Sequence, residues 1–142
     1  MGKKRKHKWC SPMIHEARGY SRTLTYLSRD SLDVPPRSKA AIREKRVVKA
    51  HVNGRDFTFF KGKDRDYFLI RRLFCTCKDF EFNVVLRRKK LACYHLIATE
   101  VAERESAIKE LRLSADEFYD IMYEIVLNGR SNILRKLLLK RR

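Results

Sequence analysis

Glycine is scarce in this chain, five residues among 142, and none falls in a phosphate-cradling pattern. That absence excludes the Gly-rich loops of nucleotide-binding enzymes. Long apolar runs are missing too: no stretch approaches the ~18 residues that would cross a bilayer. The acidic residues are few and scattered, so no Mg2+-dependent nuclease centre is visible. Met1 to Lys8 reads MGKKRKHK with no apolar segment behind it, and no secretory leader is expected. Lys6 stands four residues after Gly2 where Ser or Thr would be needed, so myristoylation is unsupported. The expectation is an intracellular protein, cytoplasmic or nuclear/nucleoid, with reduced thiols.

Positive charge is what the chain has in excess. Thirty-four Lys and Arg against seventeen Asp and Glu give +17. Residues 1 to 50 hold +10 of this, residues 51 to 100 hold +5 and residues 101 to 142 hold +2. Such a balance points to a polyanion, bound with strong salt dependence because each neutralised phosphate releases counterions. Nucleic acid, DNA or RNA, is the expected partner. An anionic membrane is the lesser candidate, since no strongly apolar amphipathic segment accompanies the charge.

Three of the four cysteines and one of the four histidines are gathered in one window, Cys75-Thr76-Cys77 and Cys93-Tyr94-His95, spaced C-x-C-x15-C-x-H. Thiolate and imidazole are zinc ligands, and Cys3His is a usual composition of closed structural sites. On an extended segment, residues i and i+2 project to one side, so Cys75 and Cys77 can share an ion. On a helix they diverge by about 200° at ~3.6 residues per turn. Cys93 is therefore expected in the turn before a helix whose first turn holds His95, with Ile97 and Val101 facing inward. Two disulfides are the competing use of four cysteines, but such frameworks belong to secreted chains. A Cys93–His95 nucleophile and base is a weaker reading than metal ligation, because a dyad needs a separately oriented base. Four protein ligands leave no open position for a catalytic water, and no enzyme is expected. Cys10, His7 and His15 lack a paired motif and are read as ordinary surface or core residues rather than a second metal site.

The window resembles the SWIM zinc finger over roughly residues 45 to 103. Cys93-Tyr94-His95-Leu96-Ile97-Ala98 is similar to the second half of that motif, and Lys78-Asp79-Phe80 to the acidic-aromatic pair after its second cysteine. Ala98, three residues after the histidine, is similar to the extension found in SWIM proteins that assist recombinases. The resemblance implies one structural Zn2+ on Cys75, Cys77, Cys93 and His95, and a module that binds DNA or protein.

The coarse fold expected is α+β: a small antiparallel hairpin or sheet with a zinc-tied helix (ββα-like), a basic N-terminal arm and a C-terminal helical hairpin. Residues 1–37 form the arm, 38–105 the zinc module and 106–142 the helical segment. A short helix is predicted near Ser21 to Arg29 with Leu24 and Leu27 on one side. Pro35-Pro36 is a break, and Ser38 is expected to cap a helix over Lys39 to Lys45. Strands follow over Val47–Val52, Asp56–Lys61 and Tyr67–Phe74, the first two joined by Asn53-Gly54. Phe80, Phe82 and Val84 alternate as a further extended piece. The aromatics are read as core rather than as stacking platforms for bases. Ser114 and Glu117 form a capping box. Phe118, Ile121, Met122, Ile125 and Val126 make one buried face, ended at Asn128-Gly129. A last helix carries Ile133, Leu134, Leu137 and Leu138, expected to pack on the zinc module rather than to remain a docking stripe.

Candidate nucleic-acid contacts are Lys3, Lys4, Arg5, Lys6 and Lys8 in the arm, and Arg87, Arg88, Lys89 and Lys90 between the ligand pairs. The latter four also offset the −1 charge of a Cys3His zinc site. The reading favoured is a DNA-associated recombination or repair accessory, with a recombinase-like ATPase as its protein partner. The alternatives are an RNA-bound or ribosome-associated protein and a protein-only adaptor.

Overall fold

A computed structural model describes residues 22–140. Residues 22–27 are helical (α1). There follow α2 (Pro36–Arg43), β1 (Val47–Val52), β2 (Arg55–Lys61), β3 (Asp66–Ile70) and β4 (Phe74–Cys75). A π-helical segment (Phe80–Leu86), α3 (Tyr94–Arg104), β5 (Lys109–Arg112), α4 (Ala115–Asn128) and α5 (Asn132–Lys140) complete the chain. The class is α+β. The five strands run in the order β4-β3-β2-β1-β5, antiparallel except for the parallel pair β1–β5.

β1 and β2 lie close to their expected positions because their turn is strongly specified. Asn53 (φ 48°) and Gly54 (φ 75°) both take the left-handed conformation that a two-residue hairpin turn demands. Alternation along β1 then sends side chains to two different cores. Val47 belongs to one cluster with Phe60, Leu69, Cys75, Cys93 and Leu96. Val48, Ala50 and Val52 belong to the other with Phe59, Leu111, Ile121 and Leu134. The sheet is thus buried on both faces, with α2, α3 and the cysteines on one side and α4 and α5 on the other. Most of these aromatics fill the cores, Phe82 being the exception: Phe59 and Phe60 are wholly buried, and the Phe57 ring lies 4.4 Å from that of Phe118.

Several local expectations are corrected. The third strand does not run unbroken to Phe74; it turns at residues 71–73, where Leu73 N–H donates to Ile70 O (3.0 Å), and returns as β4. Phe80, Phe82 and Val84 are not extended. Phe80 and Val84, four apart, face the core and Phe82 faces solvent, a helical pattern that three alternating apolar residues also satisfy. Ser38 does not cap α2. Pro36 starts that helix three residues earlier, its fixed φ suiting the first turn, and Ser38 Oγ is buried, donating to Tyr94 O at 2.9 Å. In α1, Leu27 is buried while Leu24 is exposed. Ahead of the capping box at Ser114, where no strand was expected, residues 109–112 form β5, with Leu111 inward and Glu110 and Arg112 outward. Charges on a short edge strand mask its period and guard its free edge.

The C-terminal helices pack on the sheet, as expected. Ser114 and Glu117 make the reciprocal capping box, and Gly129 (φ 70°) closes α4. Ile121 and Ile125 are buried, but Val126 is 70% exposed and leaves the expected face. Ser131 Oγ accepts from Leu134 N at 3.0 Å and opens α5, whose Leu134 and Leu138 are buried. Asp66 fastens this hairpin: it is paired with Arg135 at 2.7 Å and accepts from Ser131 N at 2.9 Å.

Candidate metal centre

The fold brings together the four residues that the spacing singled out. β4 ends at Cys75, and Cys77 follows in the turn that enters the π-helical segment. Cys93 is extended (φ −80°, ψ 161°) at the N-terminal boundary of α3, which puts His95 in the first turn. The ligand atoms of Cys75, Cys77, Cys93 and His95 all lie within 4.8 Å of one another, and all four residues are buried. No disulfide links them; the three cysteines are free.

The histidine is held by packing. Its ring centroid lies 3.9 Å from that of Tyr94, 4.3 Å from Tyr67 and 4.6 Å from Phe60. Hydrogen bonding leaves it poorly satisfied: among the described residues Nε2 is buried with no partner, and Nδ1 lies 3.9 Å from Cys75 Sγ. A buried polar atom without a partner is costly, and a cation is what this donor set lacks. The thiols make the same point. Hydrogen bonding to Cys77 and Cys93, together with burial, pushes Cys75 far up, and burial raises Cys93. Cys77 is pulled far down because it accepts from Cys75 and Cys93. Three thiolates cannot share this space by themselves; a dication lets all three ionise. Phe80 N–H donates to Cys77 Sγ at 3.3 Å and supports that charge from outside the cluster. The residues fit a single Zn2+, which would tie β4 to the start of α3 as a closed structural centre.

Behind the ligands lies a charged clasp. Glu100, on α3 and 1% exposed, takes Arg72 Nη2 at 2.7 Å, Arg71 Nε at 3.1 Å and Arg104 Nε at 3.0 Å. Burial raises the Glu100 carboxyl, but hydrogen bonds from Arg72, Arg71 and Arg104 outweigh it and hold the group at about 2. Arg72 sits at φ 62° in the β3–β4 turn. That conformation costs a non-glycine residue roughly 1–2 kcal/mol, and the carboxylate offsets it. The clasp thereby fixes the hairpin carrying Cys75 against the helix carrying His95. The sequence reading missed these residues; the one local signal was the i, i+4 pair Glu100–Arg104.

Of the remaining candidate residues, Arg87, Arg88, Lys89 and Lys90 are all exposed at the end of the π-helical segment. Lys90 pairs with Asp79 at 2.9 Å, which also accepts from Asn83. Lys89 and Lys90 donate their amides to Asn83 O, so the loop is folded onto that segment. Lys3, Lys4, Arg5, Lys6 and Lys8 lie outside the described residues, as do His7, Cys10 and His15. Ala98 is wholly buried in the core around the cysteines, where a larger side chain would have to displace its neighbours.

A strand-borne C-x-C facing a helix-borne C-x-H defines a structural zinc finger. Residues 57–102 match the family model of the SWIM zinc finger, and the chain carries a SWIM-type zinc finger over that span. No curated protein and no solved structure matches the chain. SWIM fingers are structural and binding modules, not catalytic centres. Among the described residues, no helix is long and apolar enough to cross a membrane.

Proposed function

We propose that this is an intracellular, zinc-tied nucleic-acid-binding module, and specifically a DNA-associated accessory of recombination or repair that works with a recombinase-like ATPase. The observation that carries nucleic-acid binding is the exposed run Arg87–Lys90, mounted between the two ligand pairs of a chain with net charge +17. Zinc fixes both ends of that loop, so its cations are presented without the entropy loss of ordering a free segment. The division of labour we propose is a basic arm over 1–37, a zinc module over 38–105 and a helical segment over 106–142. DNA and the accessory role rest on the likeness of the Cys93–Ala98 motif to recombination-linked SWIM proteins. RNA is the alternative, favoured by an arm with no acidic residue before Glu16.

The test is a salt titration of binding to a DNA duplex, a DNA single strand and an RNA hairpin. Replacing Arg87 to Lys90 with alanine should lower the slope of log K against log salt by about 2 to 4, at ~0.9 per duplex phosphate contact. Replacing Lys3 to Lys6 should lower it further without altering the fold. Slopes equal to the parent protein's would refute both contact assignments. Preference for the RNA hairpin at equal salt would replace the DNA reading with the RNA one.

A further inference from the structure

α4 carries apolar side chains on both of its faces, and among the described residues only one face is covered. Ile121 and Ile125 are buried against the sheet, whereas Tyr119, Tyr123, Val126 and Leu127 are 67%, 67%, 70% and 62% exposed. Their i, i+4, i+7, i+8 spacing aligns them as one stripe on the solvent side. An exposed apolar stripe of this kind marks a contact surface.

Charge says what the contact is. α4 carries Asp116, Glu117, Asp120 and Glu124 and no Lys or Arg, in a chain of net +17. Glu117 is occupied in the capping box, and Glu124 accepts from Ser131 and Ile133. Asp116 and Asp120 are exposed at the N-terminal end of the stripe, with no ion pair among the described residues. The C-terminal end has the opposite sign. Arg130 is exposed there, and the Arg65 guanidinium lies so close to Gly129 that a Cβ at that glycine would sit 2.9 Å from Nη1. The stripe is therefore acidic at one end, basic at the other and aromatic in the middle. A phosphate backbone would be repelled from its acidic end. A second copy laid antiparallel matches it at both ends.

We propose that this chain forms a two-fold symmetric homodimer through the outer face of α4, with the axis at Tyr123. Antiparallel pairing sets Tyr123 against the partner's Tyr123 and Tyr119 against the partner's Leu127. Asp116 then faces the partner's Arg130, and by symmetry the reverse. Such an isologous contact needs one self-complementary patch and closes on itself. Taking ~150–250 Å2 for a fully buried aromatic, the four exposed side chains offer on the order of 400 Å2 per copy. The pair total of about 800 Å2 falls below the range of stable complexes, so the dimer is weak and reversible.

Sedimentation of the full-length, zinc-loaded and nuclease-treated protein tests this across low micromolar to millimolar concentration. The weight-average mass should rise toward twice the chain mass. Tyr123→Asp should hold it at the monomer mass, with melting temperature and zinc content unchanged because the side chain is exposed. Asp116→Arg alone and Arg130→Asp alone should each weaken association several-fold, and the double variant should restore it. A mass that stays monomeric at millimolar concentration overturns the proposal. So does association that survives Tyr123→Asp, or a charge-swapped pair that associates no better than either single variant.

Discussion

Replacing Glu100 with glutamine keeps the shape of a buried side chain and removes the charge that three guanidinium groups share. A carboxyl held at about 2 instead of 4.5 represents about 3 kcal/mol of native-state stabilisation. Solvent reduces this, because the Arg71, Arg72 and Arg104 side chains are 42%, 33% and 31% exposed while Glu100 is 1% exposed. The expected loss at neutral pH is therefore about 2–3 kcal/mol, read by urea unfolding of zinc-loaded protein. The sign of the pH dependence follows from the depressed native value. The stabilisation is complete above about pH 4.5 and is lost as pH falls toward about 2, where the native carboxylate also takes up its proton. Zinc is released over part of that range, so the metal content of both proteins is measured at each pH and the difference is read only where the two contents agree. Because the clasp fixes the turn that leads to Cys75, the variant should also bind zinc 10–100-fold more weakly in a chelator competition, as outer-shell changes do. A pH-independent difference between the two proteins, or one below about 1 kcal/mol at pH 7, would refute this account.

Cys75→Ser or His95→Ala should unfold residues 45 to 105, since a structural zinc contributes ~10–16 kcal/mol against a whole-domain stability of ~5–15 kcal/mol; an unchanged melting profile would remove the metal assignment. Ser114→Ala deletes one half of the α4 capping box and should cost about 1 kcal/mol in urea unfolding, with no effect on zinc affinity. Asp66→Ala leaves the Arg135 guanidinium and Ser131 N–H without their buried acceptor. It should cost about 3–5 kcal/mol and speed amide exchange at the start of α5 before that of the sheet.

Legibility followed the range of the interactions. The zinc centre could be read because ligand chemistry and two short spacings are local facts: C-x-C suits an extended segment, and C-x-H suits a helix start. The β1–β2 turn and the α4 capping box were equally local, each set by a few neighbouring residues. The π-helical segment was not, because Phe80, Phe82 and Val84 fit two periods at once, and only burial of Phe80 and Val84 on one core decides between them. β5 was hidden for a related reason. A four-residue edge strand rich in charge carries almost no periodic signal, and its hydrogen-bond partner lies some sixty residues earlier in β1.

The sequence by itself determined the four ligands, the class of metal they take and the excess of positive charge, since these depend on residue type and near-neighbour spacing. The tertiary structure decided that one sheet is buried on both faces, that Glu100 gathers three arginines behind the metal, and that α4 keeps an apolar face in water. Each of these depends on which distant segments share a surface, and near-neighbour spacing does not encode that.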